Sequence, residues 1–328
     1  MKRSLFIIGE IGANHLGSLD RALAIVDAAA DAGVDLVKLQ AWTPGTMSYH
    51  HDPLPPDSPW HTRTLPDLYA ECFTPWAWFP PIFDYAMANG IIPFASAFDI
   101  EAVEMLEELR CPIHKVASNE ITDHALIRRM ARTGKPLLIS TGCASAPDIG
   151  GAVRTARNAG AQDITLLQCT SEYPAPVESA NLATMNDMRH RWGCEAGLSD
   201  HTVGIGVAVA AAALGAAVIE KHLTLERADG GPDAGFSMEP AEFKAMVTAC
   251  RQAALARGSV EYASGPWALR RSLWVVKDMA PGDEFTALNV RTARPNLGLD
   301  CREVGNVYGR YAAVPIQAGT PLAQGMIE

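Results

Sequence analysis

Eight short apolar runs, separated by helical patterns, constrain this chain more than any other feature. They occupy 5–12 (LFIIGEIG), 34–40 (VDLVKLQ), 91–97 (IIPFASA), 113–118 (IHKVAS), 136–142 (PLLISTG), 163–170 (DITLLQCT), 194–200 (CEAGLSD) and 218–224 (VIEKHLT). Near-continuous Val, Ile and Leu content fits strands buried on both faces, and hence a parallel sheet under helices. Eight strand–helix units within about 250 residues match a (β/α)8 TIM barrel, an α/β fold. A doubly wound sheet is the competitor, but it rarely runs through eight consecutive units so regularly spaced. The first helix is expected over Leu19 to Ala32, closed by Gly33, and Asp99, Asp123 and Ser145 are expected N-caps.

Two stretches break the alternation. The connection 41–73 holds six prolines, adjacent His50 and His51, and several aromatics, so it is expected to be an ordered lid or a partner contact. Beyond a helix at about 240–257 the pattern turns to short β-rich pieces, SLWVVKDMA, VRTARP and YAAVPIQAGT. The segments KDMAPGDEFT and VPIQAGTPLA resemble each other: apolar, Pro or Gly turn, apolar return. The expected organisation is a catalytic barrel over 1–260 and a β-rich domain over 266–328, joined near 258–268. A module of that size is marginally stable alone and is expected to dock on another surface.

Composition narrows the partners. A net charge of −10, with 27 Lys and Arg against 37 Asp and Glu, makes nucleic acid an improbable partner, so an anionic substrate must be met by a few placed cations. Seven cysteines without C-x-x-C spacing argue against a disulfide framework or structural zinc and suit a reducing, cytoplasmic setting. The apolar run Leu5 to Ile8 is too short for a secretion signal, and the uncharged stretch His201 to Ile219 is punctuated by glycines. No membrane partner is expected.

In a barrel, the C-terminal strand ends face the active site. Here they are unusually polar: Glu10, Asn14 and His15; Lys38 and Gln40; Ser96; Lys115, Ser118 and Glu120; Ser140 and Thr141; Thr170, Ser171, Glu172 and Tyr173; Ser199, Asp200 and His201; Glu220, Lys221 and His222. Two ammonium groups among serine hydroxyls suit a phosphate, which offers only acceptors. The plainer alternative is that each lysine is an ordinary barrel ion-pair partner. His201 and His222 end neighbouring strands and could share one metal ion, with Glu220 and Asp200 close by; a Lewis-acid role on a carbonyl follows. Ser199-Asp200-His201 is no hydrolase triad, because successive strand residues face opposite ways. Glu10, alone among apolar neighbours, is a candidate general acid or base, or else a structural partner of a lysine. Lys38 or Lys115 could instead be a Schiff-base nucleophile.

The segments GEIGANHLGS, VKLQ, HKVASNEIT, LLISTG, CTSEYPAP, GLSDHT, IEKHLT and GGPDAGFSMEP, in this order, resemble the sialic acid synthase family, and RRSLWVVKDMAPGDEFT onward resembles its antifreeze-like (SAF) domain. The resemblance implies condensation of phosphoenolpyruvate with an N-acylated amino sugar to a nine-carbon acid. It implies that Lys38, Ser96, Lys115, Ser118, Ser140 and Ser199 bind phosphoenolpyruvate. His201 and His222 would hold Mn²⁺, with Mg²⁺ or Co²⁺ as alternatives, and Glu220 would lie close through water. Gln40, Ser171, Tyr173 and Asp233 would face the sugar. A homodimer is implied in which the SAF domain of one subunit caps the other's barrel and delivers Arg294 to the acyl group. SPWHTRTLPDLYAECFTPW and ERADGGPDAGFSMEP resemble the branch whose acceptor is a 2,4-diacetamido-2,4,6-trideoxy-altrose, while CTSEYPAP resembles other branches. Gln168, Asn119, Leu16 and Asn296 depart from the usual family residues and are expected near the acceptor end.

Overall fold

The computed structural model describes residues 5–54, 58, 61–265 and 267–328. The chain divides into two compact units, Met1–Gly258 and Ser259–Glu328.

In the first unit β1 (Phe6–Glu10), β2 (Leu36–Ala41), β3 (Ile92–Ala97), β4 (His114–Val116), β5 (Leu137–Ser140), β6 (Ile164–Cys169), β7 (Glu195–Asp200) and β8 (Val218–His222) close into a parallel barrel. Each lies inside the run that the apolar pattern marks, except that β2 extends one residue past its run, to Ala41. The helices are α1 (Leu19–Ala32), α2 (Pro44–Met47), α3 (Leu65–Cys72), α4 (Phe79–Ala88), α5 (Ile100–Glu108), α6 (His124–Ala131), α7 (Ala146–Asn158), α8 (Thr184–Trp192), α9 (Gly206–Ala213) and α10 (Pro240–Ala256). No helix among the described residues is long and apolar enough to cross a membrane.

Local chemistry sets the boundaries. Ser18 caps α1 by accepting from Arg21 N–H, and Gly33 ends it at φ +82°, a conformation that suits a residue without Cβ. Asp99 and Asp123 cap α5 and α6, and Ser145 with Asp148 forms a reciprocal capping box on α7. Burial supplies most of the stability: Ile25, Val26 and Ala29 of α1, and Leu166 and Leu167 of β6, belong to one core between barrel and helices. Each such fully buried aliphatic side chain is worth about 1.5–3 kcal/mol.

The connection after β2 differs from a plain loop, since it carries α2 and α3. Pro44 and Pro66 stand in first turns, where the missing N–H costs nothing, and Thr64 caps α3. Part of this segment, 55–57, 59 and 60, lies outside the described residues.

The second unit holds β9 (Ser272–Val275) and β10 (Val290–Ala293), paired antiparallel, and α11 (Val304–Val307). YAAVPIQAGT, expected as a β piece, forms no regular strand and pairs only through isolated bridges, its prolyl nitrogen lacking a ladder donor. The two look-alike segments meet each other. Met279 N–H donates to the Ile316 carbonyl at 2.8 Å, and Ile316 N–H returns to Met279 at 2.9 Å. Phe285, Val290, Val307 and Leu322 are fully or almost fully buried in this unit's own small core.

Candidate active site

Strand register gathers the polar side chains. Glu10 pairs across to Lys38 on one side and to His222 on the other. Gln40 lies opposite Ser96, Ser96 opposite Lys115, and Ser199 opposite Glu220. Directly opposed residues share a face, so these groups point into the barrel mouth together. All of them except Glu10 line a cavity of about 620 Å³ whose wall includes Lys38, Gln40, Ser96, Lys115, Ser118, Ser140, Ser171, Tyr173, Ser199, His201, Glu220, His222 and Asp233.

The two lysines are not equivalent. Lys38 Nζ lies 2.8 Å from Glu10 Oε2 and 3.5 Å from Glu220 Oε1, and donates to Ser96 Oγ at 3.0 Å. Burial pulls its pKa down, but the two carboxylates more than offset this and hold it above lysine's ordinary value. Lys115 Nζ donates to Ser140 Oγ at 2.7 Å and to the Val116 carbonyl at 3.1 Å, and no carboxylate pairs with it among the described residues. Burial lowers its pKa; Glu220 offsets part of that fall and Lys38 adds to it. Beside it, Gly142 N–H donates to Ser118 Oγ at 3.1 Å, and a Cβ at Gly142 would collide with Ser171 Oγ. An ammonium without a direct ion-pair partner, ringed by hydroxyls and bare backbone, is built to take an oxyanion.

The carboxylates divide in the same way. Burial pushes Glu220 up, but Lys38, Lys115, His222 and His201 override it and bring it to about 2. Glu120, which follows β4, is raised by burial to about 7, with Lys115 offsetting only part. Its Oε2 is buried without a hydrogen-bond partner. A carboxyl group near neutrality on a cavity wall can both give and take a proton.

His201 and His222 have ring centroids 5.5 Å apart, close enough to share one ion. His201 Nδ1 lies 2.9 Å from the Thr170 carbonyl, which can only accept, so Nδ1 carries the proton and Nε2 is left as a ligand. His222 Nδ1 lies 3.5 Å from Asp233 Oδ2, is buried and makes no hydrogen bond, and Glu220 Oε2 is also unpartnered. Two imidazoles plus unpartnered polar atoms fit a divalent cation with open positions. Among the described residues no three His, Cys, Asp or Glu side chains form a ready-made metal cage.

Comparison with known proteins identifies the family. The NeuB family matches residues 25–262, and the SAF domain matches 270–328. The chain belongs to the NeuB family. It is 38% identical to the pseudaminic acid synthase of Helicobacter pylori, over 98% of this chain and 97% of that one. It is 34% identical to the N,N'-diacetyllegionaminic acid synthase of Campylobacter jejuni, over 95% of this chain and 96% of that one. Among solved structures, the crystal structure of a spore coat polysaccharide biosynthesis protein E from Chromobacterium violaceum superposes with a TM-score of 0.74, at 27% identity and 99% coverage of both chains. The molecule is thus a NeuB-family nonulosonic acid synthase with a TIM barrel and a SAF domain.

Within this NeuB barrel several residues stand elsewhere than the sequence suggests. Glu10 is not isolated: it accepts from Gln40 Nε2 at 2.6 Å, pairs with Lys38 and is not part of the cavity lining. Asp200 turns away from the histidines. It pairs with Lys221 at 2.7 Å on the outer face of the barrel wall and accepts from Thr202, because adjacent strand residues point oppositely. Gln168 also faces outward, donating to the Ala180 carbonyl at 3.1 Å. Asn119 does line the cavity, and Cys143 Sγ donates to its Oδ1 at 3.0 Å. Leu16 is exposed at φ +49° in the turn after β1. Arg294 and Asn296 belong to the second unit, where Arg294 is exposed just past β10. His15 is structural: its Nδ1 accepts from Gly17 N–H, and its Nε2 meets Thr74 Oγ1 at 3.0 Å.

Sequence reasoning placed Glu120 among the polar strand ends without assigning it a role. Its role depends on burial, which spacing does not report. The lid residues Trp42, Leu68 and Tyr69 were equally unassigned. The Trp42 ring packs edge-on against Phe98 at 4.9 Å and Tyr69 at 6.1 Å.

Proposed function

We propose that this NeuB-family enzyme is a pseudaminic acid synthase. It condenses phosphoenolpyruvate with 2,4-diacetamido-2,4,6-trideoxy-β-L-altropyranose, giving a nonulosonic acid and phosphate by C–O cleavage. The pseudaminic acid synthases of Helicobacter and Campylobacter, 36–38% identical over nearly the whole chain, support this product over the legionaminic type. The observation that carries the chemistry is Lys115, a buried ammonium with hydroxyl neighbours and, among the described residues, no carboxylate within ion-pair distance.

Lys115, Ser118, Ser140 and the Gly142 backbone take the anionic groups of phosphoenolpyruvate; Lys38 with Ser96 and Ser199 takes the remainder. His201 and His222 would hold the divalent ion, Mn²⁺ or alternatively Mg²⁺ or Co²⁺, which when bound polarises the sugar aldehyde. Carbon 3 of phosphoenolpyruvate attacks that aldehyde carbon. Glu120, on the opposite wall, gives its proton through a water relay to the aldehyde oxygen as the C–C bond forms. Positive charge develops at carbon 2 and water adds there, returning a proton to Glu120. Glu220, ionised at about 2, orients this water by accepting its hydrogen bond. The tetrahedral carbon then expels phosphate with its bridging oxygen, its hydroxyl proton passing to the departing phosphate, and becomes the ketone. Gln40, Ser171, Tyr173 and Asp233 hold the sugar, and Arg294 of a second copy in a homodimer reaches its acyl group.

In water labelled with oxygen-18, the expected label appears in the keto acid and not in phosphate; label in phosphate means P–O cleavage and overturns the mechanism. Altrose-, glucose- and mannose-configured acceptors tested side by side decide the product. The lowered pKa of Lys115 also suits a Schiff-base amine. Borohydride with pyruvate traps a covalent adduct only if that second reading holds.

A further inference from the structure

A buried ion pair lies directly behind the two imidazoles. β7 and β8 pair in register as far as Asp200 opposite Lys221, and there their ladder stops. His201 is the next residue after β7, and His222 is the last residue of β8. Alternation sends Ser199, His201, Glu220 and His222 to the cavity, and Asp200 and Lys221 to the opposite face of the wall. Both charged side chains are removed from water there, Asp200 at 2% and Lys221 at 1% exposure.

The pair reaches past the end of the ladder. Lys221 Nζ donates to Asp200 Oδ2 at 2.7 Å and to the Thr202 carbonyl at 2.6 Å. Asp200 Oδ1 accepts from Thr202 N–H at 2.9 Å and from Thr202 Oγ1 at 2.8 Å. Three bonds therefore fix Thr202, the residue after His201, and one of them comes from Lys221, the residue before His222. Immediately beyond, the chain leaves the wall: Val203 is exposed and Gly204 turns at φ +79°. A buried ion pair gains little or no stability over apolar side chains of the same volume. What this one supplies is a fixed distance between two chain segments.

We infer that Asp200, Lys221 and Thr202 are positioning residues that set the spacing of His201 and His222, 5.5 Å between ring centroids, for a single divalent cation. The inference rests on the function proposed above, in which those rings hold the ion. Asp200 and Lys221 touch neither ion nor substrate; each acts through the backbone of its neighbour. His222 is tied independently, since it pairs with Glu10 and its carbonyl accepts from Met238 N–H at 2.9 Å. His201, past the last ladder pair, is left without the clamp to its contacts with Ala175 and Thr170. Two ligands serve one ion only when held to about 0.5 Å, and losing the groups that orient a ligand typically costs about 10–100-fold in metal affinity.

The test is isothermal titration of Mn²⁺ into the full-length enzyme. The double variant Asp200→Asn/Lys221→Met removes both charges together, strands no buried ion and keeps an acceptor for Thr202 N–H. It is expected to bind Mn²⁺ about 10–100-fold more weakly than wild type, to regain phosphate release when Mn²⁺ is raised by that factor, and to keep the KM for phosphoenolpyruvate within about 3-fold. Val153→Ala, a truncation in the buried face of α7, reports general loosening; it is expected to lower the Tm and keep the wild-type Mn²⁺ affinity. Unchanged Mn²⁺ affinity in the double variant overturns the inference, and so does an equal loss in Val153→Ala. Should the double variant not fold, Asp200→Asn is read in its place, with a loss of at least about 10-fold expected and wild-type affinity overturning the inference. A wild type that binds no Mn²⁺ refutes the imidazole site and the inference with it. Wild-type binding that the variant retains in full refutes the clamp alone.

Discussion

Replacing each cavity lysine by methionine should lower stability very unequally. Lys38 is held by Glu10 at 2.8 Å and Glu220 at 3.5 Å. Lys38→Met leaves two carboxylates buried without their cation, and breaking a buried ion pair from one side costs about 3–5 kcal/mol. Lys115 is just as buried but has only hydroxyl and carbonyl partners. Lys115→Met removes a desolvated charge that has no direct ion-pair partner and keeps most of the side-chain volume, so its cost should be much smaller than that of Lys38→Met or vanish. At roughly 2–4 °C per kcal/mol for a unit of this size, Lys38→Met should unfold about 6–20 °C lower than wild type and Lys115→Met clearly less far below it or not below it at all. Differential scanning calorimetry at pH 7 without ligands reads both. Both variants should nevertheless lose function. A buried charge-assisted contact to the substrate is worth about 3 kcal/mol, so the KM for phosphoenolpyruvate should rise about 100-fold or more in either. If Lys115→Met is destabilised as much as Lys38→Met, Lys115 has a counter-charge and the oxyanion argument fails. If its KM is unchanged, the ammonium is not a substrate group.

Glu120→Gln should remove the limb of the kcat pH profile near 7 and lower kcat by 10²-fold or more. Its stability effect has a definite sign. A carboxyl group with a raised folded pKa favours the native state fully below its unfolded value and loses that contribution as pH rises through about 7, so the variant should gain on wild type above pH 7 and not at pH 4, read by urea denaturation. Isothermal titration of wild type with Mn²⁺ is expected to show binding that His201→Ala and His222→Ala each abolish while keeping the wild-type circular dichroism; undiminished binding in either removes the paired-imidazole site. Gly142→Ala should cost about 1–3 kcal/mol in thermal unfolding and raise the KM for phosphoenolpyruvate, because its Cβ meets Ser171 and Ser118. Wild-type behaviour there would mean that the serine cradle is looser than its packing implies.

The barrel was legible because its signals are local. Eight apolar runs, the N-caps Asp99, Asp123 and Ser145, and Gly33 act through neighbours a few residues away. The polar residues of the mouth were legible for a related reason: alternation along a strand decides which side chains share a face, and strand ends are readable. The same rule excluded a triad at Ser199-Asp200-His201, yet Asp200 was still placed beside the histidines. Its buried partnership with Lys221 shows why position alone misleads.

The amino-acid sequence by itself determined the order of strands and helices, the division into two units and the roster of ionisable groups. Only the closed tertiary structure decided what those groups are worth. Lys38 and Lys115 occupy alike strand ends, and Glu10, Glu120 and Glu220 are alike as residues. Yet one lysine is neutralised and the other is bare, and one glutamate sits at about 2 while another sits at about 7. Charge–charge energy depends on distance across the ring and on the water excluded from it, and neither quantity is defined until the first strand meets the eighth.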